Sequence, residues 1–344
     1  MYVLDDVDPS VLAPDQSAKD PAPSSRLRCA AMIIGLIANP ASSKDIRRLT
    51  GLARVIDIEE KANLVARLLV GIGSIPGISV LALDDPAGLV RRAARLAGHH
   101  GPEVGYIPIE ATGTEADTRI CAGYLAGHDA RALITVGGDG TVRAAAEGWP
   151  EAPLIPVAAG TNNAFALGDE PTVTGLAAAL AITQADDAFS PTTAIAVQTT
   201  DGQALAVIDA VVVRDRWVGA GAIWDPRQLV EAFVTSSRRT AVGVASISAA
   251  LGPLPAGYAR RITFGGDRTV RAVFGPGVVL DIPVAEHQDL PQGAEVHLAE
   301  TAGLIALDGE RRLPAVDGVV RLVPGPWVLD LEAALLDRPA TPRP

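Results

Sequence analysis

The sequence predicts an α/β domain built on a doubly wound, mainly parallel sheet, followed by a β-rich domain. From residue 32 to about residue 183, short β-branched runs alternate with longer amphipathic runs, as in parallel strands connected by helices. After residue 185, short runs rich in valine and threonine are separated by glycine, proline and aspartate, which indicates a mainly antiparallel sheet. Aromatic residues make up only 4% of the chain and apolar residues 48%, so aliphatic side chains must fill most of the interior.

The same patterns place the individual elements. In the first domain, strands are expected at residues 32–38, 78–83, 104–109, 131–136 and 154–158, and helices at 59–69, 87–97, 115–125, 142–147 and 173–182. In the second, strands are expected at 192–198, 204–213, 261–264, 269–274, 278–282, 295–299, 304–306 and 319–323, with a hairpin turn at 265–268. The chain then divides into a flexible tail (1–28), the α/β domain (29–187), the β-rich domain (188–330) and a C-terminal tail (331–344).

Charge and cysteine content argue against several classes of function. The formal net charge is −11 and no run of Lys or Arg is present, which argues against non-specific binding to nucleic acid or anionic membranes. The apolar runs are too short to span a bilayer, and the acidic N-terminus lacks the features of a secretory signal. Cys29 and Cys121 do not form a metal or disulfide framework. We therefore expect no nucleic-acid or membrane partner and a cytoplasmic location.

The segment Gly137-Gly138-Asp139-Gly140-Thr141 carries the strongest functional signal. It follows an apolar run and opens a helix-like stretch. Two glycines at the end of a strand let phosphate groups approach the main chain, and Thr141 can cap a helix whose free N–H groups favour anions. Asp139 is then available to meet a metal ion or the proton of a hydroxyl group. A plain strand-to-helix turn is the alternative interpretation.

Two further segments follow predicted strands. Gly160-Thr161-Asn162-Asn163 offers uncharged donors for ribose, amide or phosphate oxygens, and an asparagine-rich helix cap is the alternative. Asn39-Pro40 follows the first strand, where a turn set by the proline fits the sequence equally well. Because ligands of doubly wound sheets bind beyond the carboxyl ends of the strands, we expect both segments to converge with residues 137–141 on one site.

The order of these motifs resembles the NAD kinase and diacylglycerol kinase superfamily, and most closely the ATP-NAD kinase-like proteins typified by acetoin-catabolism protein X. The likeness is carried by residues 35–49, 60–63, 112–119, 137–141 and 160–165, and more thinly by the turn at 307–310. It implies a nucleotide-dependent kinase whose active site lies in the cleft between an α/β domain and a β-rich domain.

The resemblance also implies roles for single residues. Asp139 would be catalytic, as a metal-linked acid or as a general base on the acceptor hydroxyl, with Mg²⁺ held mainly through phosphates. The nucleotide would be bound by Asn39, Gly137, Gly138, Gly140, Thr141, Thr161, Asn162 and Asn163. The acceptor side would include Asp209, Arg239, Thr240, Asp308 and Glu310. A solvated hairpin turn at 308–310 and an exposed helix start at 235–240 are the alternatives.

ATP is the expected phosphoryl donor and NAD the expected acceptor. Ala210 stands where NAD kinases carry the glutamate of an Asn-Glu pair, and Ser43 stands where near relatives have glycine. These departures keep two alternatives open: a kinase for a lipid or polyol acceptor, and a nucleotide-sensing protein that binds NAD(H) or ATP without turnover. The resemblance further implies a homodimer or a larger homo-oligomer.

Overall fold

The fold is built from two sheets and their covering helices. In this computed structural model the described residues are 32–42, 51–52, 56–160, 163–166, 168–184, 187–214, 222–298, 303–314 and 317–336. Within them, the strands are β1 (Met32–Ala38), β2 (Ile78–Ala82), β3 (Glu103–Tyr106), β4 (Ala130–Gly137), β5 (Pro153–Ala158), β6 (Phe189–Thr199), β7 (Gly202–Ala206), β8 (Asp209–Val213), β9 (Leu229–Val234), β10 (Tyr258–Gly275), β11 (Val278–Pro291), β12 (Glu295–His297), β13 (Leu304–Leu307), β14 (Glu310–Pro314) and β15 (Val319–Leu329). The helices are α1 (Ile58–Gly73), α2 (Leu89–Ala97), α3 (Glu115–Ala126), α4 (Asp139–Gly148), α5 (Pro171–Gln184), α6 (Val244–Ala250) and α7 (Leu331–Leu335), with 3₁₀ turns at Gly98–His100 and Pro226–Gln228.

The first sheet combines a parallel half with strands from the later part of the chain. Strands β3-β2-β1-β4-β5 are parallel in that order, which confirms the predicted doubly wound arrangement. Strand β15 pairs in parallel with β5 and antiparallel with β6, and β7 and β12 complete the sheet. The strands after residue 188 are thus shared between both sheets, and the domain boundary at residues 187/188 stays a prediction.

Helices cover both faces of this sheet. Alternate side chains of β1 and β4 pack against α1, α2 and α5 on one face. On the other face, α3 and α4 share an apolar cluster with the second sheet, in which Leu125 and Val142 join Val211 and Ile262. None of the helices in the described ranges combines the length and apolar character needed to cross a bilayer.

The second sheet is antiparallel, in the order β11-β10-β9-β8-β13-β14, as predicted for the β-rich part. Several details differ from the sequence prediction. The run at 204–213 forms two strands because the chain leaves the first sheet at residues 207–208 and enters the second. Strands β9 and β14 and helix α6 were not predicted. Residues 265–268 form an irregularity inside β10, not a hairpin turn, because the ladder with β11 resumes on both sides of them.

Helices α4 and α7 differ from the predictions for the glycine-rich segment and the C-terminal tail. Helix α4 begins at Asp139, three residues before its predicted start, so the aspartate of the glycine-rich segment is the first helical residue. Helix α7 lies in the predicted C-terminal tail, and Asp330 caps it by accepting a hydrogen bond from Ala333 N. The predicted N-terminal tail lies outside the described residues.

Helices α1 and α5 meet through two glycines. A Cβ atom on Gly175 would lie 2.1 Å from Leu68 O, and one on Gly71 would lie 2.2 Å from Thr172 O. Since such distances are far below van der Waals contact, the two backbones touch at these positions. Helix α1 carries a side chain that supports the candidate site, so this contact helps to position that site.

We expect Gly175→Ala to lower the free energy of unfolding by about 2 kcal/mol, because the added methyl group forces the two helices apart. Urea unfolding measures the change. Gly168→Ala is the matched control, since a Cβ atom there meets nothing within 4 Å, and we expect it to change stability by less than about 0.5 kcal/mol. Because alanine is the better helix former, a stabilised Gly175→Ala variant would contradict the close contact.

Candidate functional site

A cleft of about 280 Å³ lies beyond the carboxyl ends of the parallel strands. Strands β1 and β4 are neighbours there, and the strand order reverses between them, which is the usual ligand position in doubly wound sheets. The structure brings seven of the predicted residues to this cleft. Its lining includes Asn39, Gly138, Asp139, Gly140, Thr141, Asp308 and Glu310, together with Gly160.

Two glycines allow the loops after β4 and β5 to touch. A Cβ atom on Gly160 would lie 2.7 Å from Gly138 Cα, and one on Gly137 would lie 2.4 Å from Thr141 Oγ1. At Gly138 and Gly140 the nearest atoms are 3.5 and 3.8 Å from an added Cβ. Gly137 and Gly160 therefore serve the packing of the loops, while Gly138 and Gly140 leave the main chain open to the cleft.

Asn39 connects the first strand to the glycine-rich segment. Its Nδ2 donates to Thr141 Oγ1 at 3.0 Å, and its Oδ1 accepts a hydrogen bond from Ala41 N at 2.9 Å. The second bond closes the turn at Pro40, as expected for asparagine. Asn39 thus fixes the tip of β1 against the first turn of α4.

Lys61, a residue for which the sequence assigned no role, holds this same turn from behind. It lies on α1, is 1% exposed, and its Nζ donates to the carbonyl oxygens of Asn39, Pro40 and Ser42 at 3.4, 2.9 and 2.6 Å. Hydrogen bonds from a charged donor are stronger than neutral ones. Its sequence signal is weak, because a lysine near the start of an amphipathic helix is normally solvated.

Asp139 is buried and anchored to the loop after β5. Its Oδ2 accepts a hydrogen bond from Ala164 N at 2.8 Å, and its Oδ1 accepts one from Phe165 N at 3.0 Å. Arg238 donates to the carbonyl oxygens of these two residues, at 3.3 Å in the case of Phe165. The peptide group that joins Ala164 to Phe165 therefore lies between a carboxylate, which accepts from its N–H, and a guanidinium, which donates to its carbonyl oxygen.

Hydrogen bonds of Asp209 and Asp308 hold the turn between β13 and β14 against residues 207–209. Asp308-Gly309 is the two-residue turn between β13 and β14, with positive φ at both residues, as the Asp-Gly pair predicts. Oδ1 of Asp308 accepts hydrogen bonds from Val207 N and Ile208 N at 3.0 and 2.7 Å, and Oδ1 of Asp209 accepts one from Gly309 N at 3.1 Å. The hairpin alternative is correct for the backbone, but the Asp308 carboxyl is buried, not solvated.

Burial raises the pKa of Asp308 to about 8, against the attraction of Arg143 and with a further increase from Asp209. A cavity of about 20 Å³ brings Asp139, Asp209 and Asp308 together in its lining. The Asp308 carboxyl therefore gains a proton within the pH range in which most aspartates are ionised.

Arg143 connects three parts of the site and was missed by the sequence analysis. It follows the glycine-rich segment on α4 and is 1% exposed. Its Nη2 donates to Glu115 Oε1 at 3.0 Å, and its Nη1 lies 3.9 Å from Asp308 Oδ2. Burial opposes its charge, but Asp308 and Glu115 outweigh this effect and raise its pKa above the usual value. The only sequence signal for this role was the position of the arginine, on the same helix and shortly after the glycine-rich segment.

The remaining acidic residues of the lining support loops. Asp85 accepts hydrogen bonds from Leu89 N and Val90 N at the start of α2. Asp117 accepts hydrogen bonds from the backbone of residues 112–114, where Thr114 caps α3. Burial raises the pKa of Asp117, but these hydrogen bonds outweigh it and hold the pKa below its usual value.

Some predicted residues lie elsewhere. Asn163 pairs its side-chain amide with the backbone of Gly160, with hydrogen bonds of 3.2 and 3.1 Å, and so closes the turn. Arg239 and Thr240 are exposed and line neither the main cleft nor the small cavity. Thr161 and Asn162 lie outside the described residues. Within the described ranges no group of three or more His, Cys, Asp or Glu side chains is arranged to hold a metal ion.

Comparisons with known proteins match the two halves of the chain separately. The ATP-NAD kinase N-terminal domain model matches residues 34–183, and the acetoin catabolism protein X C-terminal domain model matches residues 193–321. Acetoin catabolism protein X of Cupriavidus necator is 33% identical over 306 residues, which covers 82% of this chain and 84% of the relative. The chain belongs to the acetoin catabolism protein X family.

Solved structures similar to this acetoin catabolism protein X family member include kinases. Yeast NADH kinase complexed with NADH aligns with a TM-score of 0.43 and 13% identity, covering 91% of each chain. A putative diacylglycerol kinase from Bacillus anthracis str. Sterne aligns with a TM-score of 0.47 and 11% identity, covering 87% of this chain and 96% of the other.

Replacing Lys61 by methionine tests the support of the Asn39 turn. We expect the free energy of unfolding to fall by about 3 kcal/mol, because the turn loses a charged hydrogen-bond donor to three carbonyl oxygens. Chemical denaturation measures the change. Arg67→Met on the same helix is the control, since Arg67 forms only a half-exposed ion pair with Glu170, and we expect an effect below about 1 kcal/mol. Equal effects of the two substitutions would contradict the role assigned to Lys61.

Replacing Asp308 by asparagine tests its raised pKa. At pH values between the unfolded pKa near 4 and the folded pKa near 8, this carboxyl group is protonated in the native protein and ionised in the unfolded chain. Each rise of one pH unit in this range therefore lowers the free energy of unfolding by about 1.4 kcal/mol. Asparagine does not titrate. Urea unfolding at pH 5, 6, 7 and 8.5 should therefore show the wild type losing stability relative to Asp308→Asn across this window. A constant difference would contradict the raised pKa.

Proposed function

We propose that this protein binds ATP with Mg²⁺ in the cleft and transfers a phosphoryl group to a hydroxyl group of NAD or a related small molecule. The observation that carries the proposal is the position of Asp139, buried at the first residue of α4 and in the lining of the cleft. The match of residues 34–183 to the ATP-NAD kinase N-terminal domain supports ATP as donor and NAD as acceptor.

Asp139 is suited to accept a proton from an acceptor hydroxyl. A carboxylate has about four acceptor positions, and the backbone N–H groups of Ala164 and Phe165 engage one on each oxygen. These bonds fix the carboxylate in the lining of the cleft. Positioning of the reacting groups and stabilisation of the transferring charge supply most of what a protein contributes to phosphoryl transfer, and Asp139 serves the first of these.

The residues at the cleft also fit the groups that the proposal requires. The open main chain at Gly138 and Gly140, next to the N-terminus of the ten-residue helix α4, suits phosphate groups. Glu310 and Asp139, both in the lining, are carboxylates of the kind that hold Mg²⁺ together with phosphates and water. When bound, Mg²⁺ neutralises the charge of the phosphates. A homodimer or larger homo-oligomer remains part of the proposal.

A second candidate function is nucleotide binding without turnover. The ionisable side chains in the described lining of the cleft are all carboxyl groups, namely those of Asp85, Glu115, Asp117, Asp139, Asp308 and Glu310. A phosphoryl group in transfer is usually also stabilised by Lys or Arg. Since the described lining contains neither, this feature favours a protein that senses a nucleotide.

The deciding experiment incubates the purified protein with ATP, Mg²⁺ and, in turn, NAD, NADH, diacylglycerol or a sugar-like acceptor, and follows ADP and phosphorylated product. We expect product from NAD, and a loss of at least about a hundredfold in Asp139→Asn because the proton acceptor is removed. Asp201→Asn, at an exposed turn between β6 and β7, is the control and should retain activity.

The other outcomes are equally informative. Product from diacylglycerol or a sugar-like acceptor alone would assign a different acceptor. ATP binding by calorimetry with no ADP above the blank would establish the second candidate function. Because asparagine cannot accept both backbone hydrogen bonds at residues 164 and 165, the unfolding temperature of Asp139→Asn is measured in parallel.

A further inference from the structure

A second cavity, of about 260 Å³, lies on the other side of residues 164–165 from Asp139. Its lining comes from the loop at 164–165, the start of β6, residues 207–208, the segment 235–238 after β9 and the turn at 254–258. It shares no lining residue with the main cleft. This cavity is therefore a separate compartment of the same fold, and no part of the proposed kinase reaction uses it.

Arg238 is the one cation among the described residues that line this cavity. Its Nη2 donates to the carbonyl oxygens of Ala164 and Phe165. Among the described residues, its Nε and Nη1 have no hydrogen-bond partner and the side chain forms no ion pair. Burial lowers its pKa, against the attraction of Asp139 and Asp169. A half-buried guanidinium with neutral partners and unused donors is an incomplete arrangement in a folded protein.

The rest of the lining combines hydroxyl groups with apolar surface. Hydroxyl groups are supplied by Thr192, Thr193, Thr235, Ser236, Ser237 and Tyr258. Most of the Thr and Ser hydroxyls hold the local backbone, but the buried hydroxyl of Thr193 has no partner among the described residues. Phe165, Ile208, Leu254 and Val328 give the cavity an apolar wall. Such a cavity suits a ligand with one polar end and an apolar body.

We propose that this cavity binds a small monocarboxylate with an apolar body, with its carboxylate on Arg238. A planar carboxylate binds a guanidinium through two adjacent donors, here one unused donor together with Nη2, which the ligand takes from the carbonyl oxygens of Ala164 and Phe165. One cation in the lining balances one negative charge, and the nearby carboxylates of Asp139 and Asp169 disfavour a phosphate dianion. The hydroxyl groups at 192–193 and 235–237 lie around the polar end, and the apolar wall contacts the body of the ligand.

Occupation of this cavity reaches Asp139 most directly through the peptide group that joins Ala164 to Phe165. Arg238 holds the carbonyl oxygens of residues 164 and 165, and Asp139 holds their N–H groups. A carboxylate bound to Arg238 competes with those carbonyl oxygens for the guanidinium. The ligand therefore loosens the segment that fixes Asp139, so that binding in one cavity changes the geometry of the other.

Calorimetric titration of the full chain with benzoate, and with neutral benzamide as its matched control, tests the proposal without any nucleotide. We expect benzoate to bind with a dissociation constant of about a millimolar and benzamide to bind at least about tenfold more weakly. Equal binding of the two compounds, or binding of inorganic phosphate in place of benzoate, would overturn the assignment of a monocarboxylate.

Two variants locate the site. Arg238→Gln should weaken benzoate binding at least about tenfold, whereas Arg239→Gln, an exposed neighbour outside the cavity lining, should leave it unchanged. Ala256→Trp, at an exposed position of the lining, should block binding while it retains the contacts of Arg238, which guards against a folding defect in the first variant. Benzoate binding that survives both Arg238→Gln and Ala256→Trp would overturn the proposal.

Hydrogen exchange provides an independent readout. Benzoate should accelerate exchange of the amide protons of Ala164 and Phe165, because it draws Arg238 away from their carbonyl oxygens. Benzamide should leave these rates unchanged. Unaltered exchange at saturating benzoate would show that the compound does not engage Arg238, which contradicts the proposed site.

Discussion

The site depends on the hydrogen bonds between the Asp139 carboxylate and the backbone N–H groups of Ala164 and Phe165. Burying a carboxylate costs free energy unless hydrogen-bond donors satisfy it, and these two N–H groups are such donors. The same bonds help to fix the loop that contains both residues. The bonds also join the loop after β5 to the first residue of α4. Gly138 and Gly160 approach closely beside these bonds, and Arg238 holds the same segment through the carbonyl oxygens of Ala164 and Phe165.

Most of the acidic groups at the cleft serve the backbone. Asp85, Asp117, Asp139 and Asp308 each accept two or more main-chain hydrogen bonds at the end of a strand or the start of a helix. Loops at the carboxyl edge of a parallel sheet expose many N–H groups, and a carboxylate can accept several of them at once. The acidic residues in the lining are thus explained in part by their hydrogen bonds to the loop backbone. They also determine the electrostatic environment that a ligand meets in the cleft.

The sequence predicted the architecture because its signals are local. Strand–helix alternation and the glycine-rich segment at 137–141 identify a parallel sheet and the position of its cleft, and the Asp-Gly pair at 308–309 identifies a hairpin turn. Contacts between distant parts of the chain carry no such signal. Lys61 and Arg143 look like surface residues of amphipathic helices, although each is 1% exposed, because only the folded chain brings carbonyl oxygens and carboxylates to them. The buried state of Asp308 was missed for the same reason, since its partners at 207–209 lie about a hundred residues away.

The position of β15 has a consequence for how the protein is made. This strand, residues Val319–Leu329, lies between β5 and β6 in the interior of the first sheet. During synthesis, β5 emerges long before the neighbour that covers its edge, and an uncovered edge strand invites pairing with other chains. The sheet that contains the cleft is therefore completed only after β15 has emerged from the ribosome. Until then the nascent chain carries an open edge that chaperones or rapid collapse of the earlier helices must protect.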